Sequence, residues 1–179
     1  MNQRTPVPSG AQDSGLRLVP VPPAAMRLLA AGERDAASAE LGLDVGEYVA
    51  GERWLWQLRS DQLAREPGDA PWVARIAVAE PEGVVVGHCG FHAAPDADGR
   101  VEIAYSVAPE ARRRGYGRAM LRLLLERAAA EPGVSTVRAT ISPDNAASLA
   151  TLAGHGFTQV GEQWDDEDGL ELIYERPAR

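Results

Sequence analysis

The sequence predicts an α/β fold in which a mixed, largely antiparallel sheet is flanked by helices. Three observations carry this. Residues 72–107 hold three β-rich runs separated by PEG and PDADG turns, the pattern of an antiparallel meander. An amphipathic helix follows, with Tyr116, Ala119, Met120, Leu123 and Leu124 at i, i+3, i+4, i+7 and i+8. Strand-like and helical segments then alternate to the end, so the helices have a sheet to cover.

Residues 1–15 (MNQRTPVPSGAQDSG) lack apolar periodicity and cannot repay the entropy of ordering, so they are expected to form a flexible tail before one domain over residues 16–179. Leu16 to Val21 read as a first strand that Pro20, Pro22 and Pro23 end. From Pro23 to about Pro71 the Ala, Leu, Glu and Arg content predicts two helices, with Gly42 and Gly46 in their connection. The meander strands are Trp72 to Ala79, Val84 to His92 and Val101 to Val107. Helix is predicted over Gly115 to Ala130, stopped by Pro132 and Gly133, then strand over Val134 to Ile141. Asn145 to His155 reads as a short helix with Gly156 as its left-handed cap, and Thr158 to Trp164 and Leu170 to Glu175 as a closing hairpin across DDEDG.

Composition narrows the function. The 179 residues carry 18 Lys+Arg against 26 Asp+Glu, a net charge of −8, which argues against a nucleic-acid binder because phosphate-backbone contact needs a broad basic face. The single cysteine, Cys89, excludes an internal disulfide and a cysteine-rich zinc site, and a reduced cytoplasmic setting is the expectation. No apolar run approaches the ~18 residues of a membrane span, and the N-terminus has no basic and apolar signal pattern, so neither membrane nor secretion is expected.

The most informative stretch is VEIAYSVAPEARRRGYGRAM, Val101 to Met120. A strand runs through a Pro-containing turn and three arginines into Gly-x-Gly at a helix start. Such an end presents unpaired N–H groups and a partial positive charge, and glycine lets backbone approach a phosphate. Arg112, Arg113 and Arg114 add cationic donors. A tight turn and a solvated arginine face are the plain alternatives. A dinucleotide loop would need a third glycine where Met120 stands, and a P-loop would need Gly-Lys-Ser/Thr. Both drop out.

Here the sequence resembles the GCN5-related N-acetyltransferases, more closely the branch similar to the ribosomal-protein N-terminal acetylases. The Arg/Gln-x-x-Gly-x-Gly/Ala signature stands as Arg112-Arg113-Arg114-Gly115-Tyr116-Gly117, and both VEIAYSVAPEA and SPDNAASLATLAGHGF match in order and spacing. The resemblance covers about residues 72–176. It implies acetyl-CoA as co-substrate, bound where strands 4 and 5 splay apart. It implies main-chain contacts to pantetheine from Tyr105, Ser106 and Val107, pyrophosphate held by loop amides at Arg113, Arg114, Gly115, Tyr116, Gly117 and Arg118, with Arg112 of the signature also cofactor-binding, and contacts near the pantetheine or thiol end from Asn145 and Ser148. Asn145 reads equally as a helix N-cap.

The resemblance breaks at two places. Many relatives have a Tyr seven residues after the Asn, protonating the departing thiolate, and here Leu152 stands there. A base Glu five residues before the Asn is replaced by Thr140. Leu152 does occur in the ribosomal-acetylase-like branch.

The remaining base is Glu102, which strand alternation places on one face with Ala104 and Ser106. A carboxylate beside the cofactor strand can take a proton from an ammonium, directly or through water. An ion-pair partner is its plainer role. His88 and His92 share a strand face without a third ligand, so they read as pocket or strand histidines and no metal is expected. Trp54 and Trp56 point to different sides of their helix, one to the core and one available to an acceptor pocket, and Cys89 reads as a buried apolar residue. Asp165, Asp166, Glu167 and Asp168 form a solvated turn or the rim of a cleft that draws a cationic amine.

The expectation is therefore an acetyl-CoA-dependent N-acetyltransferase whose partner is a small-molecule amine or protein N-terminus, acting as monomer or homodimer. A non-catalytic CoA-binding or protein-interaction module of the same fold is the alternative.

Overall fold

The computed structural model describes residues 15–166 and 169–179; the expected tail, up to residue 14, lies outside the described residues. At Gly15 the main-chain carbonyl accepts a hydrogen bond of 2.6 Å from the Glu80 N–H.

Seven strands form one sheet: β1 (Leu16–Pro20), β2 (Arg75–Ala79), β3 (Val84–Phe91), β4 (Arg100–Val107), β5 (Thr136–Ile141), β6 (Thr158–Asp165) and β7 (Gly169–Pro177). Their order is β1-β2-β3-β4-β5-β7-β6. All neighbours are antiparallel except β4 and β5, which run parallel. The parallel pair holds over only Arg100↔Thr136, Val101↔Val137 and Glu102↔Arg138. Beyond Glu102, β4 keeps its partner β3 but has no paired residue on β5, and the sheet opens into a wedge.

Alternation along β2 divides the core. Ala77 and Ala79 face α5 (Tyr116–Ala130) and α6 (Ala146–Leu152), in a cluster with Val86, Phe91, Met120, Leu121 and Leu124. Ile76 and Val78 face the opposite cluster, where Met26, Leu29, Val49 and Trp56 pack from the N-terminal helices. Among the described residues no helix is long and apolar enough to cross a membrane.

The N-terminal region differs from the two predicted helices. It holds four: α1 (Pro23–Ala31), α2 (Arg34–Leu41), α3 (Gly46–Gly51) and α4 (Arg53–Arg65). Gly42 caps α2 at the start of the middle connection, whereas Gly46 is the first residue of α3 and not part of the connection; the chain also breaks at Gly32, a left-handed cap with φ 80°, and at Glu52, whose ψ of 46° departs from helix. The helix after Asn145 ends at Leu152, three residues before the expected His155. Gly156 is left-handed, as is Gly154, but neither is the cap, which is Ala153 with φ −56° and ψ 130°.

A β-bulge between β2 and β3 sets the face that β3 presents to β4: Ala77 pairs with Gly87 and Val78 with Val85. Gly87 is required there, since a Cβ would fall 2.0 Å from the Ser106 carbonyl oxygen.

Candidate active site

The wedge between β4 and β5 carries a cavity on each side. The larger, about 670 Å³, runs from the loop at Arg112 and Arg113, past the first turn of α5, to Asn145, Ser148 and Thr151. The smaller, about 430 Å³, lies between His92, Thr140, Ser142 and Glu171. Three residues, Tyr105, Asn145 and Ser148, line both.

The loop has the geometry of an anion cradle. Arg113 has φ 59° and Gly115 φ 85°, left-handed positions that turn successive N–H groups inward. α5 begins immediately after, and its first bond, Ala119 N–H to the Gly115 carbonyl at 3.0 Å, leaves the preceding helix-start donors outside the helix ladder. Tyr105, Ser106, Val107, Arg112, Arg113, Gly115, Tyr116, Gly117, Arg118, Asn145 and Ser148 all line the large cavity. Arg114 does not line it; its guanidinium lies 5.4 Å over the Tyr116 ring. Arg112 Nε donates back to the Val107 carbonyl at 3.2 Å, fixing the strand-to-loop corner. A Cβ on Gly117 would meet Thr151 Oγ1 at 3.6 Å, an ordinary contact, so any larger atoms there would enter the cavity itself.

Asn145 serves both sequence readings. Its Oδ1 accepts from the Ser148 N–H at 3.1 Å, capping α6, and it faces both cavities.

Glu102 lies at the closed end of the wedge. Thr140 Oγ1 donates a hydrogen bond to its Oε1. His92 Nδ1 stands 3.8 Å from the same oxygen. The His92 ring lines the small cavity. Burial lowers its pKa from the ordinary histidine value, Glu102 and Glu171 oppose that, and Arg59 adds to it. The nearby arginines are engaged elsewhere: Arg138 binds Glu175 Oε1 at 2.9 and 2.7 Å, and Arg100 approaches that oxygen at 3.1 Å.

Beneath β4 a second polar group supports the strand. Tyr48 and Ser106 share a hydrogen bond of 2.5 Å between their hydroxyls. His88 Nε2 approaches Glu52 Oε2 at 3.3 Å and holds that carboxyl below the usual range. The His88 ring stacks on Tyr48 and meets Trp56 edge-on, so His88 is a strand histidine apart from His92. Trp56 is fully buried, its indole N–H on the Val49 carbonyl at 2.6 Å, whereas Trp54 is 67% exposed and lines neither cavity, contrary to its candidacy for the acceptor pocket. Burial pushes the Cys89 thiol up to about 12, consistent with a packed apolar role. Of the acidic run, Asp165 ends β6, Asp166 is exposed, and Glu167 and Asp168 lie outside the described residues. No group of three potential ligands able to hold a metal occurs among the described residues.

Sequence reasoning missed Glu171, Thr151 and the Thr140–Glu102 bond. Strand register brings them in from distant segments, and no local pattern marks them.

A family model described as an acetyltransferase (GNAT) domain matches residues 16–158. Among curated proteins, an L-2,4-diaminobutyric acid acetyltransferase from Nocardia farcinica is 40% identical over 77 residues, covering 42% of this chain and 39% of that one. The match thus spans well under half of that relative. Among solved structures, a putative GnaT-family acetyltransferase from Bordetella pertussis superposes with TM-score 0.60 at 23% identity, over 90% of this chain and 95% of that one. The Vibrio cholerae spermidine N-acetyltransferase in complex with CoA and spermine does so with TM-score 0.64 at 10% identity, over 93% and 97%. At these identities the structural likeness speaks for the fold.

Proposed function

The chain belongs to the GNAT acetyltransferase family, and from that premise we propose that it moves an acetyl group from acetyl-CoA to the primary amine of a small cationic acceptor. The observation that carries this reading is the pair of cavities meeting at Tyr105, Asn145 and Ser148, one ending in an anion cradle and the other bordered by Glu171 and His92.

Acetyl-CoA supplies an activated acetyl thioester. The chain's own residues bind and orient it. The N–H groups from Arg113 to Arg118 and the guanidinium groups of Arg113 and Arg118 hold pyrophosphate at the positive end of α5. The β4 edge left without a β5 partner after Glu102 offers its main-chain groups to pantetheine. Holding an amine in the small cavity against the thioester provides much of the rate by proximity. Glu102 then takes the amine's proton, with His92 between it and the acceptor cavity and Thr140 fixing its carboxylate.

Leu152 supports the ribosomal-protein N-terminal acetylase-like branch, so a protein N-terminus is the second acceptor reading. The diaminobutyrate relative and the modest volume of the acceptor cavity favour a free amine. We further place the protein in the cytoplasm, as monomer or homodimer without nucleic acid, on the buried lone cysteine and the charge of −8.

The test is acetyl-CoA consumption across diamino acids, polyamines, aminoglycosides and peptides with free N-termini. Turnover confined to a small diamine or diamino acid is expected. Turnover only with peptides would transfer the reading to the ribosomal-acetylase-like branch. CoA binding without turnover of any amine would make the chain a non-catalytic module.

A further inference from the structure

We propose that the Arg59 guanidinium holds a carboxylate of the acceptor, which makes the acceptor a diamino acid in place of a simple diamine. The inference deepens the proposed function and rests on it. An acceptor that is cationic overall, offers one amine to the thioester and presents a carboxylate must carry a second ammonium, so the charges define the class.

Arg59, on α4, lines a hollow of about 40 Å³ together with Trp56, His88, Phe91 and Ala104. That volume exceeds the ~10 to 15 Å³ that one water needs, so a small polar group fits. Ala104 also stands in the wall of the small cavity. The main-chain carbonyl of His92, whose ring lines the small cavity, accepts from Arg59 Nη1 at 2.9 Å. The guanidinium is thus joined to the edge of the proposed acceptor site through both residues.

Nη1 spends its hydrogens on neutral oxygens, Gln62 Oε1 at 2.7 Å and the His92 carbonyl. Nε and Nη2 have no hydrogen-bond partner among the described residues, yet neither is sealed in the interior as the unpaired Nε of Arg127 is. Together they form the edge of a guanidinium that takes a carboxylate through two parallel bonds. Among the described residues no carboxylate pairs with it. Asp69, the acid that acts on Arg59 through space, is engaged by Gln62 Nε2 at 2.6 Å and by the Ala94 N–H at 2.8 Å. Burial works against the Arg59 charge, and a cation withdrawn from water without a counter-ion is costly until a ligand supplies one. Bracing the His92 turn accounts for Nη1 and leaves the other edge of the guanidinium without a use.

The test sets diaminobutyrate, ornithine and lysine each against the diamine that its decarboxylation leaves, so that the members of a pair differ only in the carboxylate. The wild-type chain is expected to favour the diamino acid in kcat/KM in at least one pair. Arg59→Gln in the full chain should lower that preference roughly ten- to hundredfold, the worth of charge-assisted hydrogen bonds. Any disturbance of the His92 turn acts on both members of a pair and cancels in the ratio. A folded variant with the wild-type ratio, or a wild type that favours the diamine in every pair, would overturn the proposal. Should Arg59→Gln not fold, Arg59→Lys keeps the charge but loses the two-pronged edge, and a smaller fall in the same ratio is expected; an unchanged ratio would overturn the proposal. A wild-type chain that acetylates no amine would defeat the proposed function instead. Calorimetry of ornithine and of putrescine against the CoA-saturated chain then still reads the site. Ornithine binding that Arg59→Gln weakens more than putrescine binding would support the carboxylate contact, and equal effects or no binding would overturn it.

Discussion

Glu102 takes its meaning from two neighbours. Thr140 donates to Oε1 and His92 stands 3.8 Å away, so the carboxylate is held in place without an arginine to neutralise it. Glu102→Gln keeps the size and the Thr140 contact but cannot take a proton. We expect kcat to fall roughly tenfold or more, within the ~10² to 10⁴ range of general-base effects, while acetyl-CoA affinity is retained. A wild-type kcat would assign the proton to water. His92 adds a pH signature. Burial lowers its pKa, so the imidazole becomes neutral, and able to relay a proton, at a lower pH than an ordinary histidine. The acidic limb of kcat should lie below about pH 6.5. Because Glu102 favours the imidazolium, its amide variant should move whatever limb remains further down. A limb moving upward would contradict the coupling.

The N-terminus of α5 is the element to which the proposed function assigns cofactor binding. Its helix-start N–H groups, the left-handed Gly115 and Arg113, and the space above Gly117 form one anion cradle. Gly117→Glu leaves the backbone conformation accessible but sends bulk and negative charge into the phosphate position. Loss of CoA binding by calorimetry, in a chain that still shows its cooperative unfolding, is the expected result; unchanged affinity would move the phosphate site elsewhere. This element was legible in the sequence because it is local: a 3.6-residue apolar period opening on RRRGYG needs no distant partner. The meander was legible for the same reason, in its turns. The four N-terminal helices were not, since the break falls at Glu52, whose carboxyl packs against His88, a strand residue 36 positions away, and no local pattern marks it. The Tyr48–Ser106 bond and the place of Glu171 in the small cavity were hidden likewise, being defined by register and packing across the sheet. Thr140 looked like a missing carboxylate in the sequence, yet parallel pairing of β4 with β5 brings Glu102 to its hydroxyl.

At the scale of the whole molecule, charge would separate the two substrates of the proposed function. The chain carries −8 overall, while Arg112, Arg113 and Arg118 line the large cavity. The small cavity, the proposed acceptor site, has Glu171 in its wall, and His92, which also lines it, stands beside Glu102. An anionic protein with an acidic cleft raises the local concentration of a cationic amine, an effect on capture more than on tight binding. At saturating acetyl-CoA, kcat/KM for a cationic acceptor should therefore fall as ionic strength rises, because fields over the ~8 to 10 Å Debye length are screened. Glu171 is the residue to change, being a carboxylate in the cavity wall and held by Gln163 Nε2 at 2.9 Å. Exposed charge pairs are worth ~0 to 1 kcal/mol, so Glu171→Gln should lower kcat/KM roughly two- to fivefold and flatten its salt dependence. The affinity for acetyl-CoA, assigned in the proposed function to the large cavity, should not change. A neutral or anionic acceptor turned over faster than any cationic one, or a salt slope indifferent to Glu171, would shift recognition from charge to the shape of the cavity between His92, Ile141 and Ser142.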